Sequence, residues 1–100
     1  MVMKFNINYL PSFARDLHKI AKALEPYPNK AARLLKEMDE KLLLLEDTPM
    51  MCPIFYDRPK YRKMILEDHV LFYTVDEGAY AVRVHHILYA RSNISDYIKG

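Results

Sequence analysis

Cysteine and glycine are nearly absent from this chain of 100 residues, and each scarcity removes a class of chemistry. The lone Cys52 cannot form an internal disulfide, and its surroundings, "PMMCPIF", supply no cationic or His-rich setting to activate a thiolate. It reads as a small buried hydrophobe. The only glycines are Gly78 and Gly100, so there is no Gly-rich loop to cradle a phosphate. Long apolar runs are missing too: the longest aliphatic stretch, Leu42 to Leu45, falls far short of the about 20 residues a membrane-spanning helix needs. No membrane-integral role is expected. Charge of one sign is scarce in bulk, with a net charge of +2, so nucleic-acid binding cannot rest on overall charge and any cationic site must be local. Lys4, Asn6, Asn8, Pro11 and Arg15 interrupt any apolar region at the start, so no signal peptide is read and the cytoplasm is the expected compartment.

What is present suffices for one globular domain over residues 1–100, because 51% of the residues are hydrophobic and 28% charged. Met3, Phe5, Ile7 and Tyr9 alternate with polar residues, the period of a strand with one buried face, which Pro11 ends. Ser12 is placed to cap a helix in which Phe13, Leu17, Ile20, Ala21 and Leu24 form an apolar stripe, and "EPYPN" breaks that helix with two prolines. A second helix from about Lys30 carries Leu34, Leu35, Met38, Leu42 and Leu45 on one side. Its polar side pairs Arg33 with Glu37, Lys36 with Glu40 and Glu37 with Lys41. Two amphipathic helices joined by so short a break form an antiparallel hairpin that needs a sheet to cover.

The sheet is completed by strand-like runs at Tyr61 to Leu66, Val70 to Val75 and Tyr80 to about Tyr89, separated by the turn signals "EDH" and "DEG". The expected fold is α+β: a strand, a helical hairpin and a three-stranded antiparallel meander, with both helices on one face. No internal repeat or low-complexity segment appears, and "NISDYIKG" reads as a tail or a single helical turn.

Strand alternation places Val82, Val84, His86 and Leu88 under the helices and Arg83, His85, Ile87 and Tyr89 on the open face. Arg58, Lys60, Arg62 and Lys63 form a second cationic cluster that the meander can bring toward the last strand. An open face rich in Arg, Lys, His and Tyr suits a phosphate-bearing ligand, although such residues on a sheet are ordinarily just solvated. His85 and His86 point opposite ways and cannot chelate one ion, and with one cysteine and no spaced partners a metal site is not expected. No cofactor is implied. His86 reads as a half-buried core residue with a hydrogen-bonded ring, His18 as solvated and His69 as a turn residue. Met50, Met51, Ile54, Phe55 and Tyr56 give a loop more apolar bulk than a connector needs, so they either plug the core or face a partner.

With these elements in order, "YLPSFARDLHKI", "YRKMILEDHVLFYTVDEG" and "VRVHHILYARSNI" together resemble the RelE/ParE superfamily of bacterial type II toxins over nearly the whole chain. The resemblance implies a plasmid-stabilisation type of toxin held inactive in a hetero-oligomer by a cognate antitoxin, docked on the Met50 to Tyr56 group and the flank of the helical hairpin. It implies one of two activities. Members that cleave mRNA on the ribosome would be matched here by Arg62, Lys63, Arg91 and Tyr97, with His85 added as a proton carrier from its ordinary pKa of about 6.5. Members that inhibit DNA gyrase without catalysis end like "VRVHHILYARSNI", matched at Val82, Arg83, Val84, Ile87, Leu88, Ala90, Arg91 and Ile94.

The departures weigh on both sides. Val70 stands where the mRNA-cleaving members carry an Arg, while Tyr89, Ser92 and Asn93 replace a His, an Arg and an Asp of the ParE-like ending. The balance falls to gyrase inhibition, with Arg83, Tyr89 and Arg91 as target contacts. A ribosome-dependent endoribonuclease is the alternative reading, and an inert interaction module of the same fold is the third.

Overall fold

The computed structural model describes residues 3–98, apart from the side chains of Ser95 and Tyr97. Its elements are β1 (Asn6–Tyr9), α1 (Pro11–Ala23), α2 (Pro28–Leu44), β2 (Arg62–Leu66), β3 (His69–Asp76), β4 (Ala81–Tyr89) and α3 (Ile94–Tyr97). The four strands form one sheet in the order β1-β4-β3-β2, with β2, β3 and β4 an antiparallel meander and β1 added parallel to β4. The expected α+β architecture is the observed one. The parallel pairing follows from connectivity: the helical hairpin and β2 and β3 separate β1 from its partner, leaving length for a crossover.

Both helices start on proline, whose fixed φ and missing N–H suit the first turn. The second helix therefore begins at Pro28, two residues before the expected Lys30. Ser12 does not cap α1; Leu10 occupies that position, and the Ser12 hydroxyl instead donates to the His85 carbonyl at 2.6 Å. On α2 only Glu37 and Lys41 form the expected pair, at 3.3 Å, while Arg33 reaches Glu67 in the β2–β3 turn at 3.6 Å. The first strand starts at Asn6 rather than Met3, because the Phe5 N–H turns to the Glu46 carbonyl at 2.8 Å, beyond the end of α2.

The helical stripes lie against one face of the sheet. Phe13, Leu34, Met38, Leu42 and Leu45 pack on Met64, Leu66, Leu71, Tyr73, Val82, Val84 and Ile87, with Leu17, Ile20 and Cys52 at the margin. Tyr73 is fully buried there and donates to the Pro49 carbonyl at 2.8 Å, and burial holds its hydroxyl well above the usual range.

The opposite face is not open as expected. Tyr61, Val70, Phe72, Leu88 and Ile98 form a second buried cluster, joined by Phe55 and Ile94, so the β2-preceding loop and the C-terminal segment cover its middle. The mixed composition of both segments hides this role from a reading by periodicity.

Candidate target-binding face

A bulge in β4 decides which side chains meet. Phe72 pairs with His86 and Tyr73 with Val84, so His85 is an extra residue that β3 does not match. One inserted residue restarts the alternation. Val82 and Val84 keep their expected place under the helices, but Ile87 joins them, while Leu88 moves to the second cluster. Tyr89 also changes sides: it pairs with His69 in the register that places Leu71 and Ile87 on the helix face, and the two rings stack edge-on at 5.8 Å. His69 is thus the first residue of β3 rather than a turn residue, half-buried, with burial pushing its pKa down.

His86 keeps its hydrogen-bonded ring but not its place beneath the helices. Its Nδ1 lies 2.9 Å from Asp16 Oδ2 of α1, and the same carboxylate oxygen accepts the Ile87 N–H at 3.3 Å. Here α1 continues along the β4 edge where β1 ends, as the bond from the Leu10 N–H to the Val84 carbonyl shows. Asp16 supplies the partner that the absent strand would have given. Nothing in its spacing marks it, because a single acidic residue on a basic helix carries no signal of what it faces.

On the outer face, Arg83 and His85 remain together. The His85 Nε2 lies 2.9 Å from Thr74 Oγ1, and its ring meets that of Tyr61 edge-on at 5.0 Å. Arg83 pairs with Asp76 at 3.1 Å, which holds that carboxyl below its usual range, and Lys60 sits 5.1 Å from the centre of the Tyr61 ring. Lys63 pairs directly opposite Phe72 and so shares this face. Burial, then the charges of His86, Lys60 and Arg83, lower the His85 pKa to about 4. Its imidazole is neutral throughout the physiological range.

The other candidates are elsewhere. The Arg62 guanidinium donates to the carbonyls of Cys52 at 2.7 Å and Met50 at 3.3 Å, clamping the preceding loop. Arg91 is exposed beyond the far end of β4 from Arg83, and the Tyr97 side chain lies outside the described residues. The apolar loop group divides: Phe55 packs on Phe72 at 5.0 Å, whereas Met50, Met51, Ile54 and Tyr56 are exposed, Tyr56 at 92%. Among the described residues no group of three His, Cys, Asp or Glu side chains is arranged to hold a metal ion, and no helix is long and apolar enough to cross a membrane.

Comparison with known proteins matches this arrangement of elements. No curated protein is similar enough in sequence to match. Among solved structures, a chain of the toxin–antitoxin complex RelBE2 from Mycobacterium tuberculosis superposes with a TM-score of 0.58 at 18% identity, over 89% of this chain and 94% of that one. Residues 7–94, from β1 to the start of α3, match the family described as the ParE toxin of type II toxin-antitoxin system, parDE. The chain belongs to the ParE toxin family of type II toxin–antitoxin systems.

Proposed function

We propose that this toxin arrests growth by binding DNA gyrase, without catalysis, and that a cognate antitoxin holds it inactive. The observation that carries the reading is the dispersal of the groups a nuclease would need. Attack of a ribose 2′-OH on the adjacent phosphate requires a proton acceptor tuned near neutral pH and cations converging on the phosphate. His85, with a pKa of about 4 and its Nε2 engaged by Thr74, is a weak base for that step. Arg62 spends its guanidinium on backbone carbonyls, and Arg91 stands at the other end of β4 from Arg83. A binding toxin needs no such convergence. The antitoxin reading is supported by the family and by the RelBE2 chain, which is one half of a toxin–antitoxin complex. The exposed Met50, Met51, Ile54 and Tyr56 remain its candidate docking residues.

One observation favours the ribosome-dependent endoribonuclease as the second reading: Lys60 and Arg83 place cations near the rings of Tyr61 and His85, and Lys63 shares their face. Two assays on the purified chain decide between them. Gyrase supercoiling activity titrated with the chain should fall in proportion to the chain added, and ribosomes translating a defined mRNA should leave that mRNA intact. Cleavage of the mRNA with gyrase unaffected would reverse the reading, and inactivity in both would leave an inert module.

A further inference from the structure

We infer that a second copy of this chain pairs edge to edge along β1, joining two sheets into one. The fold treats the two edges of its sheet differently. Along β2 the outer side is occupied: the Lys63 N–H donates to the Pro53 carbonyl at 2.9 Å, Ile54 bridges Arg62, and the Lys41 ammonium donates to the Ile65 carbonyl at 2.7 Å. Along β1 the outer side is bare. The parallel ladder turns Asn6 and Leu10 inward, their N–H groups donating to the Tyr80 and Val84 carbonyls, so the N–H and C=O groups of Ile7 and Tyr9 point away from β4. No backbone hydrogen bond among the described residues reaches them from that side. A strand edge in this state is a template for another strand.

The ends of that edge fit a second copy. In an antiparallel pair with Asn8 on the two-fold axis, Ile7 and the partner's Tyr9 exchange hydrogen bonds, as do Tyr9 and the partner's Ile7. The ladder then stops without an orphan donor. Its next position sets Phe5, whose N–H already reaches the Glu46 carbonyl at 2.8 Å, against the partner's Pro11, which has no N–H. Beside the edge, a groove of about 480 Å³ lies between β1 and α2, lined by Ile7, Asp39, Leu43 and Glu46 among others. Tyr9, 56% exposed, shares the face of Ile7, so this register carries the partner's Tyr9 ring over the groove. There Asp39, without an ion-pair partner among the described residues, is an acceptor for the phenol hydroxyl. Lys4 and Asp39 give the seam both signs, so a copy reversed by the two-fold axis brings unlike charges together. Asn8 is paired with Arg83, and the two share the outer face. The axis therefore sets the two Arg83 residues about 14 Å apart on one side of the joined sheet, three interstrand spacings of about 4.8 Å. Two copies present their outer patches side by side.

The seam is short, so the dimer is expected to dissociate at micromolar concentration or weaker, and the test reads its register by crosslinking. Cys52→Ser removes the single thiol of the full chain, and a new cysteine is then placed at one of two exposed positions. Asn8→Cys puts its thiol in the non-hydrogen-bonded pair on the axis, with Cα atoms about 4.5 Å apart, within disulfide reach. Asn6→Cys puts the two thiols at least about 13 Å apart, four strand residues of about 3.3 Å each. Under mild oxidation, Asn8→Cys should form a disulfide-linked dimer on the order of tenfold faster than Asn6→Cys. Sedimentation of the unsubstituted chain should show a dimer fraction that rises with concentration. Thermal unfolding of both reduced variants should match that of Cys52→Ser. Equal crosslinking of the two variants, or a monomer at every concentration, would overturn the proposal. A monomer whose Asn8→Cys thiol is shielded from alkylation only when the cognate antitoxin is added would give the edge to that partner and overturn it equally.

Discussion

At the scale of single residues, the environment of His85 makes a pH prediction with a definite sign. Its folded pKa of about 4 lies below the ordinary value of 6.5, so between those values the unfolded chain binds more protons than the folded one. Stability therefore falls as pH drops from about 6.5 toward 4, and His69, shifted the same way, adds to the fall. Urea midpoints measured across that window should decline toward acid, and the decline should be shallower in His85→Gln. A His85 ring that titrates near 6.5 by NMR would contradict the burial and charge argument. Arg62 yields a second prediction. Its two bonds to loop carbonyls make it a structural clamp, so Arg62→Met should cost about 1.5–3 kcal/mol in urea unfolding, the range for hydrogen bonds to a charged donor. Lost toxicity with unchanged stability would restore Arg62 to the target site. Sequence alone could not separate these roles, because nothing in "YRKM" shows that the Met50 and Cys52 carbonyls lie within reach.

At the scale of elements, the two helices and the meander were legible because their apolar periods are long and unbroken. The bulge at His85 was not, since strand alternation assumes one residue per step and "VRVHHILY" contains no glycine or proline to mark an insertion. One unseen residue sent Ile87 and Tyr89 to the helix face and Leu88 away from it. The cover over the second face was equally hidden, because Phe55 and Ile98 come from segments with no regular period. The β2–β3 turn allows a test at this scale. Glu67 occupies the left-handed region at φ 51°, which costs an L-residue roughly 1–2 kcal/mol, partly offset in Gly by the freer unfolded chain. Glu67→Gly should thus raise stability by about 0.5 kcal/mol, since its ion pair with Arg33 is exposed and weak. A clear destabilisation in denaturant would show that the Arg33 pair outweighs the backbone strain.

At the scale of the whole molecule, a sheet buried on both faces leaves the outer patch around Arg83 and His85 and, on the loop before β2, the exposed apolar group of Met50, Met51, Ile54 and Tyr56. On the proposed reading the first meets the target and the second the antitoxin. Net charge could not reveal either surface, because +2 is a sum over the whole chain. Arg83→Glu should relieve growth arrest in cells lacking the antitoxin.

The central claim is that this toxin works by binding gyrase. The most direct test follows DNA and protein synthesis side by side by pulse labelling in the first minutes after induction without the antitoxin. A prompt stop in DNA synthesis, with protein synthesis continuing and cells turning filamentous, is the predicted result; a prompt stop in protein synthesis with cleaved mRNA would contradict it.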